Sequence, residues 1–307
     1  MSPNKTTTMS VSMKSQIQEI LSNFLIECDI KFPREVVLDQ TYRDACYADA
    51  TRRGFDLPLL SKSLDVGIAI GDTSYRHLKN YSTRVFIAVW TGLLAHIDDH
   101  YAGYADGLRE FSNRFMRQEK QMYPVLDNLV EMTREFGDHW GTIGANIIFG
   151  AELDFVTSTI IDGAIEGMDV ECKMAPGFPQ FTRRMSGVSR GYAVQAFPPE
   201  LDVKEWIQVI PDLWHFIDHA NDLLSFYKEE LDGESVNFIS MNAKANGISK
   251  IEALKQLADA TAESYKRGAQ LLESCPEALS AYQGCGVGYI AFHSLSRVRY
   301  KLNHLDL

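Results

Sequence analysis

Cysteine is scarce in this 307-residue chain: Cys28, Cys46, Cys172, Cys275 and Cys285 are scattered, odd in number and contain no C-x-x-C pair. That argues against a disulfide framework or a zinc site of ordinary spacing and fits thiols in a reducing compartment. Basic residues are outnumbered, 30 Lys and Arg against 41 Asp and Glu, giving a net charge of -11 and a pI near 5.2. Non-specific nucleic-acid binding works by neutralising phosphates with Lys and Arg, so it is disfavoured. Any phosphate site must be a local basic cluster in an acidic protein. A Gly-rich P-loop and a Rossmann fingerprint are both missing, which argues against the common nucleotide-binding enzymes. No run reaches the roughly 18 apolar residues that a membrane span needs. There is also no alternating strand pattern, internal repeat or low-complexity linker. Residues 1–14 are polar and Thr/Ser-rich without the apolar core of a signal peptide, so they are expected to form a disordered tail on a cytoplasmic protein.

What remains is helical patterning in a chain that is 45% hydrophobic, enough for a sizeable core. Apolar residues recur at helical spacing over Ile17–Ile26 and again from Leu60 through Leu64 to Ile68. Pro33 opens a segment carrying Val36, Val37, Leu38 and Tyr42. Gly71-Asp72, Gly103 to Gly107, Ala175-Pro176-Gly177, Pro198-Pro199 and Gly284 to Gly288 mark expected loops. None of these looks like a boundary, so residues 15–307 are expected to form a single all-α domain.

Val85 to Ile97 is apolar nearly all round and too short to span a bilayer, which predicts a helix surrounded by other helices. It ends in Asp98-Asp99-His100-Tyr101. Acids are disfavoured at a helix C-terminus unless a cation meets them, so the pair marks the rim of a cavity or simply a solvent-exposed helix end. Further on, Asn221-Asp-Leu-Leu-Ser-Phe-Tyr-Lys-Glu229 places Asn221, Ser225 and Glu229 on one helical row at i, i+4, i+8, with Lys228 beside it. Leu213, Phe216, Ala220, Leu223, Leu224 and Tyr227 gather on another face. An amide, a hydroxyl and a carboxylate in line are hard oxygen donors of the kind Mg²⁺ accepts, and Lys228 adds positive charge for a phosphate. The alternative is an amphipathic helix with a polar outer face. Arg183-Arg184 lies in a helical stretch that Gly187 would break or pack closely; an Arg there serves as a surface residue or as a bidentate phosphate clamp. Phe292 to Leu302 reads as the last strong helix and carries Arg297, Arg299, Tyr300 and Lys301.

Taken together, Asp98-Asp99, Arg183-Arg-Met-Ser-Gly187, Asn221/Ser225/Glu229 with Lys228, and Arg299-Tyr300 resemble in order and spacing the class I terpene cyclases of the fungal trichodiene synthase-like family. The resemblance runs from about Val36 to the end. It implies a class I terpenoid synthase helical bundle around a central cavity and Mg²⁺-dependent cyclisation of farnesyl diphosphate to a sesquiterpene hydrocarbon or alcohol. Geranyl diphosphate would be a lesser substrate. Asp98, Asn221, Ser225 and Glu229 would hold Mg²⁺, with Asp99 supporting Asp98. Arg183, Lys228, Arg299 and Tyr300 would bind the diphosphate, Arg184 being a weaker candidate. One departure is that Asp98-Asp99-His100-Tyr101-Ala102 lacks the further acid that this motif often carries.

A carbocation freed by ionisation survives only in a dry, unreactive cavity, and aromatic faces stabilise it. Trp90 and Phe86 are expected to contact substrate, and Phe149, Phe155, Trp214, Tyr289 and Phe292 are further lining candidates of which a minority would do so. A prenyl-chain elongase is the rival within the fold, disfavoured because the second motif is Asn/Ser/Glu rather than Asp-rich. A silent helical binding protein is the rival outside catalysis. The expected partner is a small isoprenoid diphosphate, with no nucleic acid and no membrane span, and the family's habit of pairing leaves room for a homodimer.

Overall fold

The computed structural model describes residues 11–165, 168 and 170–307. Fourteen α-helices make up the described chain, with no strand among the described residues: α1 Val11–Glu27, α2 Gln40–Arg52, α3 Leu57–Thr73, α4 Tyr81–Asp99, α5 Tyr101–Met116, α6 Pro124–Thr133, α7 Phe136–Ala164, α8 Phe178–Met185, α9 Ser189–Gln195, α10 Val203–Trp206, α11 Ile210–Asp232, α12 Phe238–Asn246, α13 Lys250–Leu271 and α14 Pro276–Leu295. Of the expected N-terminal tail, residues 1–10 lie outside the described residues. Val11 to Lys14 are corrected to helix, since α1 starts at Val11 and packs Ile17, Leu21, Phe24 and Leu25 into the core.

Local chemistry sets many of the boundaries. Asp39, Asn80, Asn237 and Ser249 each accept a backbone N–H at the first turn of α2, α4, α12 and α13, replacing partners that a helix start lacks. The capping by Asp39 explains a second correction: the segment opened by Pro33 becomes helical only at Gln40, beyond Val36 to Leu38. At the other end of the chain α14 stops at Leu295, so Arg297 to Lys301 lie in turns rather than on a last helix. Three groups of glycines expected in loops are inside helices instead. Gly71 belongs to α3, Gly103 and Gly107 to α5, and Gly284, Gly286 and Gly288 to α14. Close packing accounts for several of them. A Cβ on Gly286 would stand 2.5 Å from the Tyr265 ring, and one on Gly288 would stand 2.2 Å from the Thr73 carbonyl oxygen.

The core centres on α4, whose Val85 to Ile97 is buried apart from Ala95. Gly67 and Gly92 let its backbone touch α3: a Cβ on Gly67 would lie 2.0 Å from the Ala88 carbonyl oxygen. One helix, α7, is long and apolar enough by length and composition to cross a membrane, a feature the apolar-run reading passed over. Within the bundle it packs against α5, α8 and α9 and buries Glu152 completely. Gly141, at φ 61, kinks it near its start.

Candidate active site

Six helices, α4, α7, α8, α9, α11 and α12, and the segment after α7 line a cavity of about 700 Å³. From α4 it receives Thr91, Leu94, Ala95 and Asp98. Phe155 and Asp162 come from α7, and Phe178, Thr182 and Arg183 from α8. Asn221, Asp222 and Glu229 come from α11, and Phe238 and Met241 from α12. Asp98 thus sits at the end of the core helix on the wall of the same cavity as Asn221 and Glu229. Ser225 is buried one turn from each, beside Glu229; its hydroxyl donates to the Asp222 carbonyl at 3.4 Å.

The acids of this cavity carry an electrostatic cost. Burial is the main cause that raises Glu229 to about 7, against which the Ser225 hydroxyl and Lys228 work. Asp98 is open to the cavity, yet surrounding protein raises it, and the charges of Asp99 and Asp162 add to the effect. Desolvation of an anion is relieved by an opposite charge placed close to it. Among the described residues no three His, Cys, Asp or Glu side chains gather as a metal cluster. The donors that do gather are an amide, a hydroxyl and carboxylates. That hard-oxygen set, with its acids penalised by burial, fits Mg²⁺ chemically.

Arg183 stands opposite, and it is clasped rather than free. Its Nε donates to both Asp222 oxygens at 2.8 and 3.0 Å, and Nη2 donates to the Asp218 carbonyl at 2.6 Å. Nη1 lies 3.2 Å from Asp218 Oδ1. His219 Nδ1 approaches Asp222 Oδ2 at 2.8 Å. Burial works against the Asp222 carboxylate, but Arg183 and His219 outweigh it and hold the group below its usual range. Just after Arg183 the helix breaks at Gly187 (φ 75) and Val188 (φ 55), so that α9 sets off in a new direction. Glycine enters that left-handed region without a Cβ penalty. Arg184 points elsewhere, with its guanidinium over the Trp214 ring outside the cavity.

The remaining cations are at the rim. Lys228 is half-buried and faces Glu234 at 3.4 Å and Asp232 at 3.9 Å. Arg299 is exposed, 3.8 Å from Asp99. Tyr300 is more enclosed and lies beside the Asn221 side chain.

The expected aromatic lining needs correction. Phe86 does not reach the cavity; it packs on Phe136, His139 and Trp140 near the other end of α4. Trp90 is fully buried behind the wall, donating Nε1–H to Glu152 at 2.7 Å and contacting Tyr192 edge-on. Trp214 is covered by Arg184 and Arg190, and Phe149 packs on Phe115. Of the candidates only Phe155 lines the cavity, where Phe178, Tyr192 and Phe238 join it.

Known proteins resemble this chain. A family profile described as trichodiene synthase (TRI5) matches residues 74–306. The chain belongs to the trichodiene synthase family. It is 34% identical to alpha-cuprenene synthase COP6 of Coprinopsis cinerea over 298 residues, 95% of this chain and 90% of that one. It is 32% identical to monoterpene synthase 25 of Postia placenta over 75% of this chain and 69% of that one. The crystal structure of linalool/nerolidol synthase from Streptomyces clavuligerus superposes with a TM-score of 0.62 at 14% identity, covering 86% of this chain and 99% of the other. That last likeness bears on the fold, a terpenoid synthase helical bundle.

Sequence reasoning therefore located the helices of this terpene synthase that carry its acids, and missed the residues between them. Asp218 and Asp222 are spaced i, i+4 on α11 beside the Asn221 row, a signal that the helical reading could have used. Tyr192, Phe178 and Phe238 had no such signal. His293, buried beneath Asn221, was also missed.

Proposed function

We propose that this terpene synthase ionises and cyclises farnesyl diphosphate in a Mg²⁺-dependent reaction, releasing diphosphate and a cyclic sesquiterpene. The observation that carries the reading is the meeting of Asp98 from α4 with Asn221 and Glu229 from α11 on one cavity that also holds Arg183. The volume of about 700 Å³ lies within the range of small-molecule sites. The 34% identity to a cuprenene-forming relative supports a fifteen-carbon substrate.

Asp98, Asn221, Ser225 and Glu229 would hold the metal. Mg²⁺ would supply Lewis-acid neutralisation of the departing pyrophosphate. Arg183 donates hydrogen bonds at the diphosphate end, once its hold on Asp222 and Asp218 is exchanged for phosphate oxygens. Lys228, Arg299 and Tyr300 would join it there. Phe155, Phe178, Tyr192 and Phe238 form the wall that excludes water and offers aromatic faces to the cation.

The test is incubation of purified protein with farnesyl diphosphate, with and without Mg²⁺, read by gas chromatography–mass spectrometry. Cyclic fifteen-carbon products that need Mg²⁺ are expected. Cyclic ten-carbon products made from geranyl diphosphate alone would favour the second reading, a monoterpene synthase, which the 32% identity to such a relative supports. Longer linear diphosphates formed with isopentenyl diphosphate would replace both with a chain elongase.

A further inference from the structure

We infer that His293 is a positioning residue that orients the Asn221 amide, so that Asn221 Oδ1, not its NH₂, is offered to the cavity. The inference rests on the reading of Asn221 as a metal ligand. An asparagine in that role has a difficulty that a carboxylate does not. Its two ends are nearly equal in shape, but only the oxygen can bind a cation; the NH₂ would repel it.

His293 resolves the choice through its tautomer. The ring is fully buried on α14. Its Nδ1 lies 2.9 Å from the Tyr289 carbonyl oxygen. A carbonyl only accepts, so Nδ1 must carry the hydrogen. Tyr289, Phe292 and Tyr300 surround the ring at centroid distances of 4.8, 5.2 and 5.0 Å. Among the described residues no carboxylate is a hydrogen-bond partner of the ring, so the ring is neutral and Nε2 presents a lone pair. Asn221 Nδ2 faces that lone pair at 3.3 Å. Only the NH₂ end of the amide can satisfy it. The Tyr300 side chain lies beside the same amide. The NH₂ is then directed at His293, while Oδ1 is left to the cavity that Asn221 lines. A chain of two hydrogen bonds, from the Tyr289 carbonyl through the imidazole to the amide, carries backbone polarity to the ligand atom. Ligand orientation by a neighbouring hydrogen bond is a general feature of metal sites, and removing such partners typically costs about 10- to 100-fold in affinity.

Two measurements test this. The first is the ¹⁵N spectrum of the histidine rings of the metal-free full chain, with His293 assigned by comparison with the His293→Gln variant. The expected result is a neutral ring protonated at Nδ1; a ring protonated at Nε2 overturns the inference outright. The second is calorimetric titration of inorganic pyrophosphate at a series of Mg²⁺ concentrations. His293→Phe should raise the Mg²⁺ needed for half-saturation about 10- to 100-fold. His293→Gln should restore most of it, because its amide can donate to the Tyr289 carbonyl and accept from Asn221. In an Asn221→Ala background, His293→Phe should add nothing, since residues acting through one group are not additive. Wild-type-like binding by His293→Phe overturns the inference while leaving the functional reading intact, as does full additivity with Asn221→Ala. Absence of Mg²⁺-dependent pyrophosphate binding in the wild type overturns both. If His293→Phe does not fold, the glutamine variant and the ring tautomer still decide: wild-type binding by His293→Gln with an Nδ1–H ring supports the inference, and an Nε2–H ring defeats it.

Discussion

Glu152 offers the sharpest physical test of the core behind the cavity. The residue is fully buried on α7. Its Oε2 accepts from Trp90 Nε1 at 2.7 Å, and its Oε1 lies 2.6 Å from Thr133 Oγ1. That threonine oxygen is also 2.8 Å from the Leu129 carbonyl. One hydroxyl hydrogen cannot serve both neighbours. If Thr133 donates to the carbonyl, the short contact to Glu152 needs a hydrogen from the carboxyl, and every polar atom is satisfied only with Glu152 protonated. Electrostatics agree: burial raises the group from 4.5 to about 7, outweighing the bonds from Thr133 and Trp90.

The consequence for stability has a definite sign. Below pH 4.5 both folded and unfolded chains hold this proton and the group contributes no slope. Between about 4.5 and 7 the folded chain holds it and the unfolded chain does not, so stability falls as pH rises. A shift of this size corresponds to about 3 kcal/mol over the whole window, at roughly 1.4 kcal/mol per pH unit. Glu152→Gln keeps the shape, donates to Thr133, accepts from Trp90 and does not ionise. Urea unfolding of both proteins between pH 5 and 8 should show the variant gaining on the wild type by about 2 kcal/mol or more, as the other titrating groups cancel in the difference. A difference that is flat with pH would mean Glu152 does not carry the proton.

The remaining predictions concern the cavity and the helix contact behind it. Tyr192→Leu should change the product mixture, because Tyr192 lines the cavity, whereas Phe86→Leu should leave the mixture alone and cost about 1–2 kcal/mol of packing; product profiles and urea midpoints separate the two. Asn221→Ala should reduce pyrophosphate release far more than Lys228→Ala, since Lys228 sits at the rim against Glu234 and Asp232; equal losses would place Lys228 in the first contact with substrate. Gly67→Ala should destabilise by more than about 1 kcal/mol, because its Cβ would meet the Ala88 carbonyl oxygen at 2.0 Å and neither backbone can yield cheaply; a neutral urea midpoint would contradict the closeness of α3 and α4.

How far the sequence reaches can be seen on two helices. On α11 the row of Asn221, Ser225 and Glu229 was legible because α11 has both an apolar and a polar face, and the period alone separates them. Its clasp on Arg183 was not legible, because the period of one helix says nothing about which residue of another helix meets it. The glycines of α3, α5 and α14 misled for a related reason. The same residue serves a turn or a close helix contact, and only the neighbour tells which.

Helix α4 shows a subtler limit. It is apolar nearly all round, so no polar face orients it, and choosing Phe86 and Trp90 as lining favoured size over position. Position was nonetheless available. Asp98 marks where the cavity meets the helix, and residues three, four and seven places before an α-helical residue share its face. Counting back from Asp98 gives Ala95, Leu94 and Thr91, which are the residues that α4 contributes to the cavity wall beside Asp98. Phe86, Trp90, Leu93 and Ile97 follow a separate i, i+4, i+7, i+11 stripe, which Phe86 and Trp90 turn towards Phe136. A small, nearly smooth stripe facing substrate and a bulky one facing the core is what the packing needs, since the wall must leave room and the core must not. The first acid at the end of an apolar helix therefore fixes the register of that helix, and an all-apolar helix next to an active site is best read backwards from it.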